Sequence, residues 1–282
     1  MLPRLRVATG RATVRTVTSR QNALVTRFRT AARAGRRSRT HVLLDGLRLV
    51  SDARRSGVAI DTLVVSGPAL RRGDAALATL AADCEAAGVE VAAGSESVMA
   101  AVSPLRSPST AVALAACRPA SVDAVLSRAA LGCIIAPAGV QDPGNLGAII
   151  RASDAAGAGG VAVCAASADP FGWKALRGAM GSTFRLPVAD AGDGQDLPAR
   201  AAHAGCAVLA ATPRGGRSLY ELDLRRPLLV LIGSEGSGIG SALAEAAGGT
   251  VSIPMTGGVD SLNAAVAAAL IAYEAHRQRS AA

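Results

Sequence analysis

Three polar loops in the second half of the sequence carry the residues best suited to chemistry. The first contains Asn145 and, six positions later, Arg151. The second is a glycine-rich stretch whose charged residue is Glu235, and the third runs through Ser261 and Asn263. An amide, a guanidinium, a carboxylate and a hydroxyl can together bind an anion and orient a nucleophile. The sequence therefore indicates a site if the fold brings these loops together.

Each loop also has a purely structural interpretation. Asn145 can cap a helix on which Arg151 is a solvated side chain. The glycine-rich stretch can be a turn with an exposed acid, and Ser261 is a candidate N-cap for an ordinary closing helix. No single loop distinguishes the structural from the functional interpretation.

The glycine-rich stretch does not fit a nucleotide-phosphate loop. A P-loop requires a lysine after its glycines, and the only lysine of the chain is Lys174. The dinucleotide pattern G-x-G-x-x-G also fails, because Ser241 occupies the last position counted from Gly236. This disfavours a nucleotide-dependent enzyme. The glycines favour instead a close approach of backbone groups to a ligand.

Continuous apolar runs predict the strands that position these loops. We predict strands at 131–136, 160–164, 184–188, 207–211, 228–232 and 250–253, with helices between most of them. Strands that are apolar on both faces are typical of a parallel sheet covered by helices. The three loops follow the first, fifth and sixth strands, so we expect them at the carboxyl edge of one sheet.

The last segment has helical periodicity. Leu262, Val266, Leu270 and Tyr273 form an apolar stripe, and a neighbouring stripe of alanines at 264, 265, 268 and 272 would let another backbone approach closely. The first half of the chain alternates shorter strands (42–46, 60–65, 89–92, 111–116) and helices, which predicts a smaller α/β layer structure.

The positive charge is concentrated at the start of the chain. The formal net charge is +9, and residues 1–44 contain eleven arginines and no acid, which leaves about −2 for the rest. Such a segment is typical of an arm that neutralises phosphates or of an organelle transit peptide. Leu24, Val25 and Phe28 have helical spacing, which favours a folded, RNA-facing helix over a leader.

Cysteine and histidine usage argues against disulfide or metal sites. The five cysteines are widely spaced and never form a Cys-x-x-Cys pair, and the histidines show no ligand spacing. Reduced core thiols in a cytoplasmic protein are the interpretation we favour. No apolar run is long enough to span a bilayer, so we expect a soluble protein.

The three loops together resemble a known family. Asn145 with Arg151, the run Gly233-Ser-Glu-Gly-Ser-Gly-Ile, and Ile253-Pro-Met with Ser261-Leu-Asn263 look like the three motifs of the SpoU/TrmH RNA ribose 2′-O-methyltransferases, in the SPOUT superfamily. The first half resembles the ribosomal-protein-like RNA-binding domain of many members, in residues 17–22, 36–39 and 43–50. The closest branch contains ribosomal RNA methyltransferases and thiostrepton-resistance enzymes.

The resemblance implies a fold and an activity. It implies an α/β protein with a C-terminal SPOUT domain, a trefoil knot and a homodimer through that domain. It also implies transfer of the methyl group of S-adenosyl-L-methionine to a 2′-hydroxyl of RNA, ribosomal RNA before transfer RNA. A silent RNA-binding protein on the same scaffold is the alternative. The implied boundaries are a basic extension (1–16), an RNA substrate-binding domain (17–118), a linker (119–123) and the methyltransferase domain (124–282).

The resemblance also assigns residues. Arg151 would be catalytic, either as the base or by holding an RNA phosphate. Its supporting residues would be Asn145, Glu235, Ser261 and Asn263. The cofactor would contact Thr212, Gly233, Ile253 and Leu262, and the RNA would contact Arg20, Arg27, Arg36, Arg37, Arg39 and Arg48. Many members have Asn-Val-Ser where this chain has Asn263-Ala-Ala, so one hydroxyl is absent.

Overall fold

The computed structural model describes residues 4–6, 13–36, 38–116, 118–164, 166–234, 236 and 238–281. The chain divides into two compact units. The first comprises residues 1–117 with 171–173, and the second comprises residues 118–170 with 174–282. The domain boundaries implied by the resemblance remain predictions.

The first unit is built on a six-stranded mixed sheet. Its strands are β1 (Arg4–Arg6), β2 (Thr13–Val17), β3 (His41–Asp45), β4 (Ile60–Ser66), β5 (Glu90–Gly94) and β6 (Ala111–Ala116). They lie in the order β1-β2-β5-β4-β6-β3. Both β1 and most of β2 fall inside the predicted basic extension. The many arginines there made the alternation of polar and apolar residues that is typical of a strand difficult to recognise.

Five helices accompany this sheet. They are α1 (Ala23–Arg33), α2 (Leu47–Arg55), α3 (Gly67–Arg71), α4 (Ala75–Ala86) and α5 (Glu96–Val102). The side chain of Asn22 accepts a hydrogen bond from the Leu24 amide and so begins α1. Leu24, Val25 and Phe28 are buried, which confirms the predicted basic helix with one apolar face.

The second unit is built on a parallel seven-stranded sheet. Its strands are β7 (Ile134–Pro137), β8 (Gly160–Val163), β9 (Val188–Asp190), β10 (Ala207–Ala211), β11 (Arg217–Ser218), β12 (Leu228–Ile232) and β13 (Thr250–Ser252). The order is β11-β13-β10-β12-β7-β8-β9, and every pair is parallel. Strands β7, β8 and β12 are buried along their whole length, as expected of a sheet covered on both faces.

Helices flank this sheet. They are α6 (Val122–Leu126), α7 (Pro143–Ala155), α8 (Trp173–Ala179), α9 (Leu197–His203), α10 (Ser241–Glu245) and α11 (Ala264–Ser280). The predicted α/β fold with a parallel sheet is therefore confirmed. Within the predicted linker, Ala120 bridges to Ala189 and α6 begins at Val122, so this stretch already has regular structure.

Two predicted strands have different bounds in the structure. The run 184–188 is mostly not a strand: Ser182–Phe184 forms a 3₁₀ turn and β9 begins only after Pro187, which has no N–H to donate to a ladder. The first strand begins at Ile134 rather than at 131. Gly132 packs so tightly that a Cβ there would lie 2.2 Å from the Gly157 carbonyl oxygen.

A short connection crosses β13. This strand lies between β10 and β11, which are consecutive in sequence and joined by residues 212–216. The Ser252 hydroxyl lies 3.2 Å from the Thr212 hydroxyl and accepts a 2.9 Å hydrogen bond from the Gly216 amide. Both ends of the connection are therefore fastened to the strand that passes between them.

Four cysteines, Cys84, Cys133, Cys164 and Cys206, are free and buried, as predicted. Burial raises the pKa of the Cys133 thiol to about 11. Cys117 lies outside the described residues. Within the described ranges, no helix is long and apolar enough to cross a membrane.

Candidate active site at the carboxyl edge of the parallel sheet

The three polar loops follow β7, β12 and β13. Because all these strands are parallel, the loops emerge at the same edge of the sheet, as predicted. Strand β10 lies between β12 and β13, so its following residue, Thr212, joins the same cluster. The fold thus gathers residues that are up to 118 positions apart in the chain.

A pocket lies among the segments that follow β10, β12 and β13. It encloses about 720 Å³ including its open mouth, and all four predicted cofactor residues line it: Thr212, Gly233, Ile253 and Leu262. None of its described lining residues is charged. Met255, from the Ile253-Pro-Met motif, also contributes, as do Pro213 and Ile271, which the sequence analysis did not single out.

The packing of its own loop, rather than a ligand, requires that residue 233 is a glycine. A Cβ at this position would lie 2.3 Å from the carbonyl carbon of Gly238. Ser234 and Gly238 exchange two backbone hydrogen bonds of 3.1 Å that close the loop. Gly236 and Gly238 line the pocket and have no atom within 4 Å of a built Cβ. The predicted close approach of backbone to ligand thus has room at these two glycines.

Helix α7 starts at a different cap from the predicted one. Asp142 is the N-cap, and its carboxylate accepts a 2.7 Å hydrogen bond from the Asn145 amide. Asn145 is instead a first-turn residue of the helix, and the prediction that it is the cap was wrong. Pro143 at the start of the helix has a fixed φ and no N–H to satisfy, which favours Asp142 as the cap. The amide side chain of Asn145 is therefore not used for the cap.

Helix α11 also has a different cap from the predicted one, and it starts later than predicted. Its N-cap is Asn263, not Ser261, because the Asn263 Oδ1 accepts hydrogen bonds from the amides of Ala265 and Val266. Ser261 lies in the loop before the helix, where it is exposed and lines the pocket. Ser261 is thus outside the helix, among the residues that line the pocket.

A second, more polar pocket adjoins the first. Gln141, Asp142 and Asn145 line it, and it shares Ser234 and Gly236 with the first pocket. At its border the Asn263 Nδ2 donates a 3.2 Å hydrogen bond to the Asn145 Oδ1. The structure therefore brings these two predicted residues into direct contact.

Arg151 lies two turns into α7 and is exposed. No described hydrogen bond or ion pair occupies its guanidinium. It lines neither pocket. Glu235 lies outside the described residues.

The two stripes of α11 lie in different environments. Ala264, Ala268 and Ala272 are buried, and α11 packs against α7. The larger side chains are exposed: Val266 at 47%, Leu270 at 39% and Tyr273 at 50%. The close backbone approach that the alanine stripe allows is therefore made within the chain.

The predicted RNA-binding arginines have mixed surroundings. Arg20 and Arg48 are exposed without a described partner. Arg27 donates to Glu90 and Thr62 at 2.9 Å, and Arg39 donates to backbone carbonyls at the end of α1. Arg36 is partly buried and has a partner, and Arg37 lies outside the described residues.

Among the residues that the structure describes, no cluster of His, Cys, Asp and Glu could hold a metal ion. The described lining of the first pocket and of the polar pocket beside it consists of neutral side chains, backbone and the Asp142 carboxylate.

Comparisons with known proteins match both units. Residues 132–273 match the model of the SpoU rRNA Methylase family. Residues 29–113 match the MRM3-like substrate binding domain. A 23S rRNA (uridine(2479)-2′-O)-methyltransferase of Streptomyces viridochromogenes is 44% identical over 142 residues, which are 49% of this chain and 50% of that protein. The chain spans about half the length of the curated relatives it matches.

Solved structures match over nearly the whole chain. An rRNA methyltransferase from Sinorhizobium meliloti is 32% identical with a TM-score of 0.80, covering 94% of this chain and 98% of that one. The SpoU methyltransferase AviRb from Streptomyces viridochromogenes, in complex with AdoMet, is 29% identical with a TM-score of 0.79, covering 92% and 99%. The family model covers half of the chain, and the first structure extends the similarity to both units. This protein therefore belongs to the SpoU rRNA methylase family.

Proposed function

We propose that this protein transfers the methyl group of S-adenosyl-L-methionine to a ribose 2′-hydroxyl of RNA, ribosomal RNA in particular. One observation carries the proposal. The four residues predicted to contact the cofactor line a single pocket, and beside it the predicted reaction residues Asn145 and Asn263 are hydrogen-bonded to each other.

The first pocket suits this cofactor chemically. Ile253, Leu262 and Ile271 offer apolar surface for an adenine ring and an aliphatic chain, while the Gly233–Ser234 backbone can hydrogen-bond to polar edges. The related AviRb structure contains AdoMet. When bound, the cofactor supplies an electrophilic methyl group on a positively charged sulfur. The uncharged lining described here neither repels that sulfur nor competes for it.

Positioning supplies much of the catalysis in an in-line displacement of this type. The ribose 2′-oxygen forms a bond to the methyl carbon as the carbon–sulfur bond breaks, and a base must remove the hydroxyl proton. A guanidinium remains protonated in proteins, so Arg151 is poorly suited as that base. We infer that Arg151 instead holds an RNA phosphate, which fits its exposed side chain without a described partner.

Substitution of Arg151 tests the activity and this role. We expect Arg151→Ala to lower tritiated methyl transfer by about 100-fold or more, because a charge-assisted contact to the substrate is lost. Cofactor affinity by isothermal titration should remain within about twofold, because Arg151 lines no part of the cofactor pocket. Arg151→Lys should retain part of the activity if a positive charge is what matters. Undiminished transfer by Arg151→Ala would refute the assignment.

Ribosomal RNA is the substrate class we favour, and transfer RNA is the alternative. The first unit resembles a substrate binding domain, and its exposed Arg20 and Arg48 can contact phosphates. Mapping of 2′-O-methyl groups in both RNA classes, with and without this protein, distinguishes them. A protein that binds RNA without binding the cofactor would support the alternative of a catalytically silent RNA-binding protein.

We place the enzyme in the cytoplasm, with the domain boundaries given above.

We also propose that the second unit contains a trefoil knot. The support is the position of β13 between two strands that only residues 212–216 connect. The hydrogen bonds of Ser252 to both ends of this connection hold the crossing closed.

We propose further that α11 forms a homodimer through its exposed apolar face, which we call the α11 ridge (Val266, Leu270 and Tyr273). A ridge of this kind on a helix otherwise packed into the unit is typical of a subunit interface. Sedimentation of Leu270→Asp should show a monomer. Leu131→Asp is the matched control, since Leu131 is 70% exposed but precedes β7, at the opposite edge of the sheet from the site. A monomeric wild-type protein at micromolar concentration would refute the dimer.

A further inference from the structure

An ion pair lies at the border of the first pocket. The Arg214 Nη2 is 3.6 Å from the Asp260 Oδ1, and it donates a 3.4 Å hydrogen bond to the Val259 carbonyl oxygen. Arg214 directly follows Pro213 and Asp260 directly precedes Ser261, and both of these neighbours line the pocket. The two opposite charges therefore belong to two segments that line the pocket.

The stability of the fold does not explain this pair. The Arg214 side chain is 67% exposed, and the Asp260 side chain is fully exposed. Their separation of 3.6 Å is too long for a hydrogen bond, and exposed ion pairs contribute little to folding. Gly215 and Gly258 lie beside the two charged residues and have no atom within 4 Å of a built Cβ. Both segments therefore have open space beside them, and a ligand can replace either charged group as the partner of the other.

The cofactor carries charges that the described lining of the first pocket does not match. S-adenosyl-L-methionine ends in an amino-acid group with a carboxylate and an ammonium, whereas the described lining residues are uncharged. A guanidinium binds a carboxylate through paired N–H donors, and a carboxylate accepts hydrogen bonds from an ammonium. Arg214 and Asp260 offer these two complementary groups at the border of the pocket. Because their charges sum to zero, they add no net repulsion of the positively charged sulfur.

We propose that Arg214 and Asp260 bind the amino-acid end of the cofactor, Arg214 through the cofactor carboxylate and Asp260 through the cofactor ammonium. This inference rests on the proposed function, because it requires that the first pocket holds S-adenosyl-L-methionine. The apolar and backbone groups of the pocket then hold the adenosine part. The ion pair selects ligands that carry an amino-acid end, a distinction that an uncharged lining does not make.

Three ligands separate these contributions in isothermal titration. Decarboxylated S-adenosylmethionine lacks the carboxylate, and methylthioadenosine lacks the whole amino-acid end. We expect the wild-type protein to bind S-adenosyl-L-methionine about 10-fold more tightly than the decarboxylated form, because a charge-assisted contact is lost. In Arg214→Gln this preference should fall to within about twofold, with the affinity for methylthioadenosine unchanged. Asp260→Asn should weaken binding of both ammonium-containing ligands by about threefold or more and leave methylthioadenosine unchanged.

Arg217→Gln is the matched control. Arg217 is also exposed, donates to the Glu221 carbonyl oxygen and lines neither pocket, so this variant should bind all three ligands like the wild type. Arg214 could instead only brace the loop through its bond to Val259. Arg214→Gln would then weaken all three ligands, methylthioadenosine included, and that result would overturn the inference.

Two further outcomes count against the proposal. A wild-type protein that binds S-adenosyl-L-methionine without preferring it to the decarboxylated form would overturn the role of Arg214. Tighter binding of S-adenosyl-L-methionine by Asp260→Asn would show that Asp260 competes with the cofactor for Arg214 rather than binding the ammonium. Absence of any S-adenosyl-L-methionine binding by the wild-type protein would instead refute the proposed function.

Discussion

The contact between α7 and α8 allows a sharp test of how the site is built. A Cβ at Gly147 would lie 2.5 Å from the Ala175 carbonyl oxygen and 2.8 Å from the Gly178 Cα. An ordinary contact begins at 3.4 Å, so Gly147→Ala places atoms about 0.9 Å too close. The opposing atoms belong to the backbone and cannot rotate away. The two helices must therefore move apart.

This movement has a worked consequence at the site. If the helices share the displacement, α7 shifts by about 0.4 Å, which is enough to disturb the 3.2 Å hydrogen bond between Asn145 and Asn263 because Asn145 lies in the first turn of this helix. The cofactor pocket contains no residue of α7. We therefore expect Gly147→Ala to lower methyl transfer by about 10-fold or more with cofactor affinity unchanged.

Stability should change less than activity. Alanine is a better helix former than glycine by about 1 kcal/mol, whereas overpacking costs about 1–3 kcal/mol, so the net loss is about 0–2 kcal/mol. Calorimetric unfolding measures this loss, and single-turnover methyl transfer with cofactor titration measures the function. Gly178→Ala is the matched control, since its Cβ would lie 3.2 Å from the nearest atom and needs only a small adjustment. Wild-type turnover in Gly147→Ala, or a parallel loss of cofactor affinity, would refute this reasoning.

The other predictions concern α11 and the glycine-rich loop. The hydrogen bond from Arg277 lowers the pKa of Glu274 to about 2, and this carboxylate is only 8% exposed. Its ionised form therefore stabilises the fold above the ordinary carboxyl pKa, and this contribution is lost as the pH falls toward 2. We expect Glu274→Gln to lose about 1 kcal/mol at pH 7 and to unfold like the wild type near pH 2, as measured by thermal unfolding at both pH values. An equal loss of stability at both pH values would contradict the explanation that the ionised carboxylate stabilises the fold. Gly233→Ala should abolish cofactor binding in isothermal titration because it forces open its own loop, whereas Gly240→Ala meets no atom within 4 Å and should bind normally. Normal binding by Gly233→Ala would show that the closed loop is not needed.

The sequence predicted the parts of the fold that depend on periodicity. Continuous apolar runs located β10 at 207–211 and β12 at 228–232 with the bounds seen in the structure. The order of strands and loops then sufficed to place the three polar loops at one edge. The resemblance to the SpoU/TrmH family, rather than periodicity, pointed to Thr212 and Ile253, which line the pocket.

Features that depend on competition between neighbours were not predictable in the same way. Asn145 and Ser261 are both good caps by type, yet Asp142 and Asn263 cap the helices because the chain turns at those residues. An alanine stripe permits close packing but does not specify which helix uses it. In this chain α7 does, and nothing in the periodicity of α11 identifies that partner.

Val266 connects two regions that have been treated separately. Its side chain belongs to the α11 ridge, and its backbone amide is one of the two that hold the Asn263 oxygen. In the proposed dimer, a partner subunit that immobilises this residue would also stiffen the first turn of the helix at the site. By reciprocity, a bound substrate that orders Asn145 and Asn263 should tighten subunit association. We expect specific activity to fall on dilution, as an allosteric link between assembly and turnover requires.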